Sequence, residues 1–439
     1  MKRRDFLASS LLGAAAGSNA RAKADAGDIV HVEPKRRATE ALPLRDLAAQ
    51  YRSFLFDDFL PFMDRYVIDH RYGGFMCNTG HDGVRADDNK STWFEGRGAW
   101  VYAFLYNNLT REQKYLDVAH RSLEFILKAR TSEGLWPSRL TRQGEPLTPP
   151  DEAIYGMLFI AEGLAEYSKA TGEKAKWEQA KDLVMRAVAP YDSPEYQPAI
   201  GQTYLGPAAR PFPGARILGV WMVLLRVVSQ MLEIRADQQL EKLADRCLDA
   251  VLKHHFNPAF GLYNELLNHD LSRPANEYSQ LVYTGHAIEI QWMMMHEALR
   301  RKDRRMFDLI AQRFKRHVEV AWDDVYGGVF RNLQNVEQNL WSLDKVLWAQ
   351  EEVLIGALCV VEQNGAPWAV ELFTRTLSYV LDKYPLRAHG SPLWIYASDR
   401  QVSYEEFLRR PKRVENYHHP RHLMLNLLAL ERMMKTQGT

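Results

Sequence analysis

A glycine followed closely by an aromatic or bulky apolar side chain returns six times: Gly74-Phe75, Gly134-Leu135-Trp136, Gly201 with Tyr204, Gly261-Leu262-Tyr263, Gly328-Val329-Phe330 and Gly390 with Trp394. The interval is 60 to 67 residues each time, room for two helices and their loops. Between the glycines, apolar residues recur every three or four positions, as in Leu47, Tyr51, Leu55, Phe59 and Phe62, or Leu218, Met222, Leu225, Val228 and Leu232. Alternating strand patterns are scarce, so the chain is read as all-α, with six helical hairpins. The period exceeds that of common helical solenoids and the joining loops are longer. Closure into an (α/α)6 barrel over residues 42–436 is therefore expected, as a single catalytic domain with a central funnel where distant polar groups converge. Pro149-Pro150 and residues 190–213 read as loops, and no linker marks a second domain.

The ends of the chain carry different information. Lys2, Arg3, Arg4 and then Phe6-Leu7 precede a small-residue apolar run over 8–17 and Ala22-Lys23-Ala24. This is the pattern of a twin-arginine-type export signal over 1–24, read by the twin-arginine machinery, followed by a flexible mature N-terminus over 25–41. The run is too short to span a membrane, so the mature protein is expected to have no anchor and to be periplasmic or secreted. Cys77, Cys247 and Cys359 make an odd count, and two lie in apolar helical stretches, so free buried thiols are expected. A formal net charge of +1 gives no bulk attraction to nucleic acid.

Two histidine segments carry the chemistry. In Gly285-His286-Ala287-Ile288-Glu289 a helix places His286 and Glu289 one turn apart, where a carboxylate can orient an imidazole and raise its proton affinity. A structural His-Glu pair reads the same way. In Tyr417-His418-His419-Pro420-Arg421-His422 the proline favours a first helical turn, setting His418 and His419 at a helix mouth. Metal binding by these histidines is not expected, because HExxH and CxxC patterns are lacking and adjacent histidines do not readily share an ion. Arg97, between glycines and near Trp93 and Trp100, reads as a guanidinium donating to substrate oxygens. Trp348 is suited to stacking on a sugar face and Glu352 to accepting from hydroxyls. Serine-hydrolase elbows, phosphate-binding loops and the βαβ pattern of nicotinamide enzymes do not occur.

In order and spacing, residues 57–62, 72–75, 93–106, 163–172, 285–289, 348–352 and 417–421 resemble the N-acylglucosamine 2-epimerase family, which includes cellobiose 2-epimerases and mannose-type aldose-ketose isomerases. The resemblance implies an (α/α)6 barrel, His286 and His418 as the acid-base pair, Glu289 orienting His286, and Arg97 at the substrate's carbonyl end. It places Trp348 and Glu352 in the pocket and demands no metal or redox cofactor. Two departures stand out. Glu95 replaces the family's glutamine, putting an acid beside Arg97, and the extra histidine of cellobiose epimerases is missing from residues 215–232.

The expected activity is 2-epimerisation or 1,2-aldose-ketose isomerisation of a reducing sugar through an enediol or enolate. A glycoside hydrolase using Asp151 and Glu152, or Glu289 and Glu352, is one alternative. A non-catalytic carbohydrate-binding protein that keeps Trp93, Trp348 and Arg97 is the other. The partner expected is a small-molecule sugar, with a homodimer compatible with these features.

Overall fold

The structure, a computed structural model, describes residues 42–151, 154–198, 205, 209–385, 397–398 and 413–437. The expected export segment over 1–24, the stretch over 25–41 expected to be flexible, and the glycine motifs at Gly201 and Gly390 lie outside them.

Six helices are amphipathic and form an outer layer: α1 (Leu44–Ser53), α3 (Gln113–Lys128), α5 (Lys174–Tyr191), α7 (Gln238–Asp249), α9 (Arg304–Ala321) and α11 (Pro367–Lys383). α7 is typical: it buries Leu240, Leu243, Ala244, Cys247 and Leu248 on one stripe, and Asp237 caps it by accepting from the N–H groups of Gln239 and Leu240. α1 continues through π-helical turns to Val67.

The alternate helices are α2 (Thr92–Leu105), α4 (Ile154–Thr171), α6 (Leu218–Ile234), α8 (Thr284–Arg300), α10 (Leu347–Asn364) and α12 (His418–Gln437). They are buried nearly all round. In α10 every residue from 347 to 361 except Trp348 is buried. A helix that is covered on all faces belongs inside a second layer. Each of the six packs on the next and α12 returns to α2, closing an inner ring, while α1 packs against α12. The outer helices cover the ring, and the fold is the (α/α)6 barrel expected from the repeat count. The three cysteines are free and buried. Among the described residues no helix is long and apolar enough to cross a membrane.

Each outer helix runs into a long loop that leads to the N-terminus of the next inner helix, so those loops and N-termini gather at one end. Short antiparallel ladders tie neighbouring loops together: Lys90–Ser91 with Arg139–Leu140, Arg216–Ile217 with Leu266–Leu267, and Lys345–Val346 with Ala397–Ser398. The recurrent glycines turn these loops. Gly74, Gly134, Gly261 and Gly328 all have φ between +68° and +83°, a region costly for any residue with a side chain.

Two of the loops repeat one another in detail. Asp69 accepts from the N–H groups of Arg71 and Tyr72, and Asp323 from those of Val325 and Tyr326. A fully buried lysine then binds each aspartate and the adjoining glycine carbonyl, Lys90 on Asp69 and Gly73, Lys345 on Asp323 and Gly327. Finally Glu95 accepts the Phe75 N–H, and Gln350 accepts the Val329 N–H while also donating to the Val329 carbonyl. Glu95 is thus a tie between loop and barrel.

Candidate active site

The first turn of α8 is pinned to the loop beside it. Thr284 Oγ1 donates to the Phe330 carbonyl at 2.5 Å and the Gly285 N–H to that of Arg331. This holds His286 at the mouth of the ring. Trp348, in the first turn of α10, lies over Gly285, whose missing Cβ would sit 2.4 Å from the indole. The same indole touches His286, with ring centroids 6.0 Å apart, and stacks on His418 of α12 at 5.4 Å. Both histidines, Trp348, Trp93 and Arg97 line a cavity of about 370 Å³.

Each histidine presents Nδ1 to a carboxylate. His286 Nδ1 is 2.8 Å from Glu265 Oε1, and His418 Nδ1 is 3.1 Å from Glu415 Oε1. Burial works to lower the proton affinity of His286, but the Glu265 carboxylate and, further off, Glu289 outweigh it and raise it above the ordinary 6.5. Glu415 also accepts the backbone N–H groups of Tyr417 and His418 at 3.0 and 2.7 Å, capping α12. Burial would raise the Glu415 carboxyl; His418, Arg97 and those backbone donors hold it well below the carboxylate range instead.

Arg97 faces Glu415 at 3.5 Å and lies over the rings of Phe159 and Tyr417, at 4.1 and 4.8 Å, with its Nε buried and unpartnered. Below it, Tyr417, Arg421, Trp292, Arg226 and Trp100 form a ring of four cation–aromatic contacts closed by the Trp100–Tyr417 edge contact, with spacings of 4.6 to 5.6 Å. These side chains come from α2, α6, α8 and α12, including pairs that are not neighbours in the inner ring, so the contacts cross the barrel axis. Each such pair contributes about 0.5–2 kcal/mol and together they make a stiff floor. Arg421 donates to Glu289 and Glu352, both at 2.6 Å, and Glu162 accepts from Tyr417 and faces Arg226.

Several expectations are changed by this geometry. The carboxylate that orients His286 is Glu265, from the loop after the Phe256–Asn257 and Leu262–Tyr263 hairpin, and not Glu289. Glu289 does line the pocket, 3.9 Å from His418 Nε2, but its hydrogen bond is to Arg421. Glu352 is turned away: fully buried, it is bound by Arg421 and by Trp292 Nε1 instead of facing substrate hydroxyls. Burial pushes its carboxyl up, and Glu289 beside it adds to the rise. Glu289 and Glu352 clasp one guanidinium and so do not face each other across open space as a hydrolytic pair would. The other imagined pair, Asp151 and Glu152, lies at a place where no side chain is described. Glu95 is buried and bonded to Phe75 N and Ser122 Oγ, so it is not a ligand of Arg97.

Two clusters bring metal-ligating types together, Glu289 with Glu352 and His418, and Glu351 with His419 and His422. Arg421 already stands as the cation of the first. In the second, His419 Nδ1 is 2.5 Å from Glu351, a direct hydrogen-bond contact that leaves no room for an ion between them, and His422 bonds Tyr51. Glu265, Glu415, Arg226 and Arg421 were not assigned to the site from sequence. Of these, Glu415 carried a signal, three residues before His418.

Two carboxylate-held histidines beside an arginine, above a closed floor in an (α/α)6 barrel, define an acid-base enzyme for a polar small molecule. The comparisons sharpen that class. The family model described as N-acylglucosamine 2-epimerase matches residues 73–419, and the chain belongs to this family. N-acylglucosamine 2-epimerase of Homo sapiens is 26% identical over 345 residues, spanning 75% of this chain and 78% of that protein. Cellobiose 2-epimerase from Spirochaeta thermophila shares the fold with a TM-score of 0.74 at 16% identity, over 92% of this chain and 100% of that one. A D-mannose isomerase does so at 0.67 and 14%, over 93% and 100%. The chain is accordingly a carbohydrate 2-epimerase or aldose-ketose isomerase.

Proposed function

We propose that the protein epimerises C2 of a free reducing N-acylhexosamine. The observation that carries this is the pair of histidines held at Nδ1, with the cavity between their remaining nitrogens and Arg97. Ring opening exposes the carbonyl, and one imidazole takes the C2 proton. Arg97 stabilises the charge that moves onto the carbonyl oxygen. The second imidazole returns a proton to the opposite face at C2, giving the epimer. Delivery to C1 would give the ketose instead; two histidines favour the two-face route.

The N-acyl preference rests on the wall beside His286. α6 abuts this histidine at Gly219, where a Cβ would lie 2.9 Å from His286 Cε1. One turn further α6 presents Met222 and Val223 to the pocket, and α8 adds Met293. An acyl methyl buried there gains about 0.8 kcal/mol per carbon. A hydroxyl without a partner would lose about 1–3 kcal/mol. The relative from Homo sapiens is named for such a sugar.

Incubation in D2O with N-acetylglucosamine, N-acetylmannosamine, mannose and cellobiose, followed by NMR, tests the reading. Deuterium should enter C2 of the N-acetylhexosamines and the two epimers should interconvert. Exchange at C1 with ketose formation, or preference for the plain sugars, would overturn it. The N-terminal pattern supports a periplasmic address, and Arg3→Lys with Arg4→Lys should hold the protein in the cytoplasm on fractionation. A homodimer is part of the same proposal, to be checked by light scattering.

A further inference from the structure

The pocket contains one carboxylate with more contacts than a helix cap needs. Glu415 Oε2 takes the two backbone N–H groups that open α12, at 3.0 Å from Tyr417 and 2.7 Å from His418. Its other oxygen faces His418 Nδ1 at 3.1 Å and Arg97 Nη1 at 3.5 Å. One rigidly held group therefore touches both the imidazole that exchanges a proton and the guanidinium that meets the developing oxyanion.

We propose that Glu415 is the positioning residue for both arms of the reaction: it turns His418 so that Nε2 points at substrate, and it orients Arg97 toward the carbonyl oxygen. The proposal rests on the acid-base reading above. Its physical basis is that the backbone donors fix the carboxylate before any substrate arrives, so neither side chain has to find its place during turnover. The ring must also carry its Nδ1 proton toward an acceptor for Nε2 to act as base, and Glu415 Oε1 stands 3.1 Å from Nδ1, within reach of that proton after a small turn of the ring. The remaining charged groups around His418 have other attachments. Glu289 of α8 lies 3.9 Å from Nε2 and is bonded to Arg421, while His286 belongs to Glu265. From α10 the ring meets the uncharged Trp348, stacked at 5.4 Å.

Glu415→Gln and Glu415→Asp test this in the full chain. Two readouts are needed, the pH profile of C2 deuterium exchange and an NMR titration of the histidine Cε1–H signals, with His418→Asn used for assignment. For Glu415→Gln, kcat should fall at least about tenfold with KM changed far less. The His418 Cε1–H signal should change position, because the ring loses the carboxylate that orients it. His286 should titrate where it did, and Glu415→Asp should recover part of the rate.

A purely structural cap predicts something different: a lower melting temperature, with kcat per folded molecule and the His418 Cε1–H signal unmoved. That result would overturn the proposal while leaving the acid-base reading intact. Absence of C2 exchange by the wild type on every sugar tried would remove both.

Discussion

His286 and His418 touch the same indole but are held in different ways. Glu265, which holds His286, is fully buried and enters from a loop locked by the Arg216–Ile217 and Leu266–Leu267 ladder. Glu415, which holds His418, stands at the pocket edge and divides itself between the ring, two backbone donors and Arg97. The first arrangement sets the proton affinity of one imidazole by local burial and charge. The second couples an imidazole to an oxyanion donor, so that a change in one is felt by the other. A two-base epimerase needs one histidine protonated while the other is not, and unlike settings make the two rings chemically distinct.

The largest expected effect comes from removing either ring. His286→Asn and His418→Asn should each lower the C2 exchange rate by about a hundredfold to ten-thousandfold. Equal losses for washout of the C2 proton from both epimers would break the two-face comparison, whereas opposite epimer preferences in the two variants would sharpen it. Next is Arg421→Leu, which acts on both histidines only through Glu289. It leaves the fully buried Glu289 and Glu352 carboxyls without their shared cation, so unfolding free energy should drop by about 3–5 kcal/mol in a denaturant titration.

A smaller and more specific change follows from Glu265→Gln. His286 in the folded protein has its proton affinity raised, so as a base it is disabled when pH falls through a value above 6.5. Removing the Glu265 charge should carry that acid limb of kcat/KM to lower pH while the opposite limb stays, and a profile that does not move would show that Glu265 has no hold on the reaction.

The smallest expected effect lies outside the pocket, where the two repeated loops differ. Glu95 does with a carboxyl what Gln350 does with an amide, and burial raises its pKa from 4.5 to about 7. The unfolded chain gives up this proton near pH 4.5 and the folded chain near 7. Stability is therefore undiminished below the lower value and is lost progressively as pH rises between the two, by up to about 3 kcal/mol at 1.36 kcal/mol per unit. Glu95→Gln should melt higher than wild type at pH 8 and lose that advantage by pH 4.5. It should leave the rates of both histidines unchanged.

The architecture was readable because its signal is long-range and repeated: each Gly-aromatic pair marks a left-handed turn, and the inner helices have no polar face. His286, His418 and Arg97 come together because each lies within the first two turns of an inner helix, and all such beginnings meet at one end. The carboxylates were harder. His286 and Glu289 do share a face, but Arg421, from α12 two places along the ring, takes Glu289 first. Glu352 lies one turn beyond Trp348, which rotates it into the floor. Glu265 sits in a loop between short ladders, where no periodicity tells which way a side chain points. Its pairing with His286 depends on how two loops are stitched together, and local spacing does not encode that.

The ring of cations and aromatics under the pocket has a kinetic corollary. Because Tyr417, Arg421, Trp292, Arg226 and Trp100 fill the axis, whatever enters the funnel leaves by the way it came. Substrate and product share a single doorway, with the same stacking surfaces on offer to both. Product should therefore compete with substrate for the pocket, and net conversion should slow as product accumulates.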